Sequence, residues 1–195
     1  ANTIACVGVC RDEITRPLVD AVQGAWGEAF NFSSIAGMLL LGKTGFRAAL
    51  QHAPTNTGIR RYVFFAMPHI GIGSDGQLGV CVRNGQKEAS PACGALISFR
   101  DELAAGNVNL EIDPDDVEQS LLKARLFRRL KYGDVPDLVE LTAMMHQTIE
   151  ADLGRGIELT VDANNSAYAV LTGVQIHGPD GKDWIWPATN YAMVY

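Results

Sequence analysis

A chain of 195 residues, 47% hydrophobic and 19% charged, has ordinary globular composition and is long enough to bury a sizeable core as one domain, residues 1–195. Its 16 basic against 22 acidic side chains leave a net charge of −6, which argues against a nucleic-acid partner. The longest aliphatic run, Met38 to Leu41 behind Ile35 and Ala36, is far too short to span a bilayer, and the four cysteines are too few for a disulfide scaffold in a chain of this length. Cys6, Cys10, Cys81 and Cys93 instead suggest free thiols or metal ligands in a reducing compartment. The chain opens at Ala1 rather than methionine, so the lack of a targeting signal decides nothing about compartment.

Ile4 to Val9 is a run of apolar, small and β-branched residues that predicts a buried strand. It ends at Cys10, three charged residues follow, and Thr15 with Pro17 marks a helix start. Leu18, Val19, Val22 and Trp26 recur at helical spacing, predicting a helix over 16–30. Ser33-Ser34 caps a second helix through Leu41, Thr44 to Leu50 forms a short third, and Pro54 to Gly58 is a polar turn. Arg61 to Met67 is the second strand and runs into Pro68-His69. Residues 70–73 and 77–83 are expected as the arms of a hairpin around Ser74-Asp75-Gly76. A polar loop from Gly85 to Pro91 leads to a helix that Cys93 opens and that reaches about Leu103. Asp113-Pro114 caps the next helix, with Val117, Leu121, Leu122 and Leu126 as its apolar stripe and Gly133 as its end. Pro136 starts another through Leu153, with Leu138, Leu141, Met145 and Ile149 facing inward. Tyr168, Val170, Thr172, Val174 and Ile176 make a late strand, Pro179-Asp180-Gly181 turns it, and Trp184-Ile185-Trp186 returns as its partner. Strands separated by helices, with hairpins near the end, specify an α/β fold: a mixed, mainly parallel central sheet with helices on both faces.

Two segments match nucleotide-binding patterns without the context those patterns need. Gly37 to Thr44 fits G-x-x-x-x-G-K-T, but its four middle residues are large and aliphatic and no strand precedes it. It is read as a buried helix ending at Gly42. Gly71 to Gly76 fits G-x-G-x-x-G, yet Gln77 to Val82 is a strand rather than the helix a pyrophosphate requires. There the glycines serve a hairpin.

Cys10 ends the first strand, His69 ends the second, and Cys93 begins a helix. In a doubly wound sheet such positions converge on one crevice. A helix N-terminus favours the thiolate that binds metal, and two cysteines with one histidine and an open fourth position is a catalytic zinc arrangement. The spacings, 59 residues from Cys10 to His69 and 24 from His69 to Cys93, match no local zinc motif, so convergence must come from the fold. Taken singly, His69 reads more readily as a hydrogen-bonded strand-end histidine than as a ligand, and Cys93 can be read as packing. Cys6 and Cys81 are read as core, and His52, His146 and His177 as surface or capping residues. A cysteine-nucleophile hydrolase, with Cys10 or Cys93 attacking and His69 as base, stays open beside the metal site. So do a binding module with structural zinc and, last, a nucleotide binder.

Three blocks, Cys10-Arg11-Asp12-Glu13, Tyr62 to Ile70 and Ala92-Cys93-Gly94-Ala95-Leu96, resemble the limiting-CO2-inducible B (LCIB) family of algae and bacteria, which is related to β-type carbonic anhydrases. Gly42 to Phe46, Lys131 to Leu138 and Thr172 to Gly178 fit the same family, so the similarity spans nearly the whole chain. The resemblance implies a β-carbonic-anhydrase-like α/β homodimer with zinc held by Cys10, His69 and Cys93. It implies hydration of carbon dioxide to bicarbonate within inorganic-carbon acquisition, the carbon concentrating mechanism. Asp12 would accept the nucleophile's hydrogen bond, and an arginine would orient Asp12. The β-class places that arginine two positions after the aspartate, where this chain has Ile14, so Arg11 and Arg16 are both candidates. The family also implies a soluble protein without a membrane span, in the plastid stroma if the chain is algal and in the cytoplasm otherwise.

Overall fold

The computed structural model describes residues 2–55 and 58–193. In chain order its elements are β1 (Ile4–Gly8), α1 (Arg16–Trp26), β2 (Ala29–Asn31), α2 (Gly42–Gln51), β3 (Arg60–Ala66), β4 (His69–Gly71), β5 (Val80–Cys81), β6 (Ser90–Pro91), α3 (Gly94–Ala105), α4 (Val117–Phe127), α5 (Leu138–Thr160), β7 (Ser166–His177) and β8 (Asp183–Met193). The centre of the turn expected at Pro54 to Gly58, residues 56 and 57, lies outside the described residues. No helix among the described residues is long and apolar enough to cross a membrane.

The expected mixed, mainly parallel sheet is present. Strand β1 lies between β2 and β3, β3 pairs with β7, and all of these pairs are parallel; β8 closes the far edge of β7 in the antiparallel sense. Strand β4 continues the line of β3 along the same edge of β7: Ala66 faces Thr172 before the break and His69 faces Gln175 after it. The break falls at Met67-Pro68, because proline has no N–H to give the ladder. Alternation then sends side chains to two cores. Cys6, Phe64 and Val170 face a large cluster that includes Phe46, Leu96, Leu122 and Leu141, one from each of α2 to α5. Ala5, Val7, Val63 and Phe65 face α1 through Val22 and Trp26.

Four local readings need correction. The first helix stops at Trp26, where Gly27 at φ 89° releases the chain into the short edge strand β2. The helix expected from Ser33 to Leu41 is a single 3₁₀ turn, Ile35–Gly37, followed by extended chain, and Gly42 opens α2 rather than closing a helix. Left-handed backbone at Ala36 (φ 52°) and Gly37 (φ 74°) diverts the segment, and Met38 and Leu39 are buried as extended chain. The arms of the expected hairpin pair over a short stretch, with Ile72 opposite Leu78 and the N–H groups of Gly73 and Gly79 donating to the Gln77 and Gly71 carbonyls; residues 70–71 also belong to the central sheet, and β5 pairs with β6. Finally, α5 begins with a capping box between Asp137 and Glu140 and runs on to Thr160.

Gly37 has no room for a side chain: an added Cβ would lie 2.5 Å from the carbonyl oxygen of Met67. Gly37→Ala is expected to cost about 1–3 kcal/mol from the left-handed backbone alone, and more from this contact. Urea denaturation followed by circular dichroism measures the loss.

Candidate metal centre

Cys10 leaves the end of β1 and bridges to Ser34 of the diverted loop. That diversion has a chemical result: the backbone N–H of Ala36 donates to Cys10 Sγ at 3.2 Å. The Thr15 hydroxyl donates to the Cys10 carbonyl at 2.8 Å and fixes the turn that follows. His69 is the first residue after the Met67-Pro68 break and is fully buried. Cys93 is the residue that caps α3.

These three residues meet. The sulfurs of Cys10 and Cys93 are 3.9 Å apart, and one donor atom from each of Cys10, His69 and Cys93 lies within 4.8 Å of the others. Two sulfurs each about 2.3 Å from a tetrahedral zinc would sit about 3.8 Å apart, so the spacing fits. The burial fits as well: neither nitrogen of the His69 ring has a hydrogen-bond partner among the described residues. A buried imidazole left so is rare unless an unseen ligand serves it. Soft thiolates with an imidazole are the donor set that zinc takes.

The two thiols behave differently without an ion. Cys10 is pulled down to about 4, chiefly by the S–H of Cys93; burial opposes this, and nearby His69 and the Asp12 backbone help it. Cys93 is held well above its usual range, because Cys10 accepts its proton and burial disfavours its charge. The N–H groups of Leu96 and Ala95, at the start of α3, act in the opposite direction. The two thiols are thus pushed in opposite directions by the contact between them.

Asp12 borders the group, with Oδ2 4.0 Å from His69 Nε2. Its Oδ1 accepts from Ile14 N, and Oδ2 takes a 2.7 Å ion pair from Arg83. Neither Arg11 nor Arg16 fills that role. Arg11 pairs with Glu118 of α4 at 2.6 Å, and Arg16 with Asp20, one turn along α1, at 2.6 Å. Arg83 was not among the sequence candidates. Its guanidinium also donates to the Pro91 carbonyl at 2.7 Å and to Ser90 Oγ, and its Nε pairs with Glu13 at 2.7 Å. One fork of donors therefore ties the β5–β6 hairpin to the turn after β1. The signal was faint but physical: with Leu78 opposite Ile72, the second arm returns toward His69, and Arg83 is the first charge on an otherwise uncharged arm.

A cavity of about 470 Å³ reaches Cys10 and Asp12 from the α1 side, with Val7, Val9 and Val19 as its apolar wall. Cys6 and Cys81 are buried as expected, and burial pushes the Cys6 thiol up to about 12. The surface role expected for His146 and His177 does not hold, since both are buried. Burial lowers the pKa of His177, although its hydrogen bond to Asp183 opposes the shift. His52 stacks edge-on against Phe30.

Comparison with known proteins identifies the family and the fold. The family described as limiting CO2-inducible proteins B/C beta carbonic anhydrases matches residues 1–194. The crystal structure of limiting CO2-inducible protein LCIB is 38% identical over 98% of this chain and 79% of its own, with a TM-score of 0.79. The structure of PtLCIB4, a homolog of LCIB, covers 98% of this chain and 81% of its own with a TM-score of 0.83; at 23% identity it shows the fold. No curated protein matches the chain.

Arg83→Ala strands the Asp12 carboxylate, whose side chain is only 12% exposed. The expected loss is about 3 kcal/mol, because a buried charge is left without its partner. Arg11→Ala and Arg16→Ala break pairs at more exposed arginines and should each cost under about 1 kcal/mol. Urea midpoints of the three variants test the contrast.

Proposed function

The chain belongs to the limiting CO2-inducible B/C beta carbonic anhydrase family, and on that premise we propose that it is a zinc-dependent carbonic anhydrase interconverting carbon dioxide and bicarbonate. The observation that carries this reading is the convergence of two cysteine sulfurs on a fully buried histidine that has no hydrogen-bond partner among the described residues. Cys10, His69 and Cys93 would hold the zinc. When bound, zinc supplies the Lewis acidity that brings the pKa of water to about 7, and with it a nucleophile near neutral pH.

The remaining work belongs to the chain's own residues. Asp12 accepts the hydrogen bond of that nucleophile and aims its lone pair at the carbon. Arg83 holds Asp12 in place by charge and by a short bond, the task expected of Arg11 or Arg16. With both oxygens of Asp12 already engaged, the carboxylate is disposed toward this role rather than toward ligation. That supports a site kept open at its fourth position. The valine wall beside Cys10 and Asp12 suits an apolar substrate the size of carbon dioxide. Trp184, Ile185, Trp186 and Tyr191 are exposed along β8, which supports a homodimer. We extend the family's link to limiting carbon dioxide to this chain, as a part in inorganic-carbon acquisition.

A second reading has one observation in its favour. The low pKa of Cys10 beside His69 also suits a cysteine nucleophile that needs no metal. Metal content separates the two. Wild-type protein is expected to carry one zinc per chain and to hydrate carbon dioxide in stopped flow, and Cys10→Ala, His69→Ala and Cys93→Ala should each lose both. Asp12→Asn should keep its zinc and lose roughly 10²-fold in hydration rate. Stoichiometric zinc in all three ligand variants would refute the ligand set.

A further inference from the structure

A row of polar side chains crosses the sheet behind His69. His69 of β4 faces Gln175 of β7, and His177, two residues on, faces Asp183 of β8. Register partners and alternate residues share a face, so all four project to one side of three adjacent strands. The β4 partner of His177 is Gly71, so no side chain stands there to keep the two imidazoles apart. Their ring centroids are 5.3 Å apart, with the planes at 72°.

Hydrogen-bond chemistry gives this row a direction. Asp183 Oδ1 lies 2.9 Å from His177 Nδ1. An ionised carboxylate can only accept, so Nδ1 carries the proton and, in the neutral ring, Nε2 is left as a bare acceptor. That Nε2 is buried and has no partner among the described residues; the same is true of both nitrogens of His69. A metal would serve one nitrogen of His69, and the other, an N–H, would still need an acceptor. Metal-ligating histidines almost always give that N–H to an outer partner.

Resting on the reading of His69 as a zinc ligand, we propose that His177, oriented by Asp183, is a positioning residue that accepts the free N–H of His69 and so fixes its tautomer and its aim. Asp183 sets the tautomer of His177, and His177 sets that of His69. Gln175, the other polar neighbour of His69 on this face, is not part of the relay.

The test uses zinc itself and a readout apart from activity. Affinity is measured by competition with a chromophoric chelator for wild type, His177→Phe, Asp183→Asn and Gln175→Met, with circular dichroism to confirm folding. His177→Phe keeps the ring and removes both nitrogens; it should weaken zinc binding about 10–100-fold. Asp183→Asn should weaken it by a smaller factor, and Gln175→Met should leave it unchanged. Long-range ¹H–¹⁵N spectra of the zinc-loaded proteins should show one His69 tautomer in wild type and a mixture in His177→Phe, a change that packing damage alone does not produce. Should His177→Phe fail to fold, Asp183→Asn carries both measurements, since Asp183 is 40% exposed. Wild-type affinity and an unchanged His69 spectrum in the variant that folds would overturn the relay while leaving the zinc site intact. A loss in Gln175→Met with none in His177→Phe would overturn it too. Failure of the wild type to bind zinc would overturn the relay together with the proposed function.

Discussion

A fully buried imidazole with no hydrogen-bond partner among the described residues is the constraint on which the site depends. Each ring nitrogen of His69 left unpaired costs about 1–3 kcal/mol, and few native structures leave such a group without a reason. The neighbouring thiols are not in the same position. Cys10 and Cys93 hydrogen-bond to each other at 3.9 Å, and Cys10 also accepts from Ala36, so the sulfurs have partners without an ion. The imidazole does not. A cation between the three would relieve His69 and displace the proton of Cys93, which couples metal uptake to proton release.

The backbone around the site follows from bringing three distant residues to one point. Proline at position 68 interrupts the strand without moving it off the edge of β7, so His69 resumes the same register at the sheet's carboxyl end. The segment after Ser34 gives up a helix that its apolar residues would otherwise form. In exchange, Ala36 N–H reaches Cys10, and Gly37 lies against the carbonyl of Met67, the residue before that proline. The same few positions therefore tie the exits of β1 and β3 together. The large core under α2 to α5 packs beneath one face of the sheet, whereas α1 covers much of the opposite face.

What was legible in the sequence follows from how local its cause is. The long strands and the helices announce themselves by apolar runs, by alternation in the late strand, by 3.6-residue spacing and by caps, and Cys10, His69 and Cys93 could be picked out because each stands where an element starts or ends. The loop from Ser34 to Leu41 was misread because apolar residues fit a buried helix or buried extended chain equally well. Only tertiary contacts decide between them, here the Cys10 sulfur and the Met67 carbonyl. His177 was misplaced for a similar reason. A histidine beside a turn is ordinarily wet, and its burial depends on β8 returning along β7 with Asp183 opposite, which no spacing within the strand encodes.

The arginine beside Asp12 shows why nearness in sequence is a poor guide to charge pairing. Arg11 and Arg16 are both close enough along the chain, yet each has a partner whose own geometry is already fixed. Glu118 sits near the start of α4 and also accepts from Ile35 N, so Arg11 serves to clamp the diverted loop to that helix. Asp20 lies one helical turn from Arg16 and captures it at little conformational cost. Arg83 lies just past β5, in the connection to β6, with its guanidinium anchored by Ser90 and the Pro91 carbonyl before it meets Asp12. An anchored fork loses little freedom in holding a carboxylate still. A carboxylate that must keep one direction beside a buried donor cluster is better served by such a group than by a flexible neighbour on its own turn.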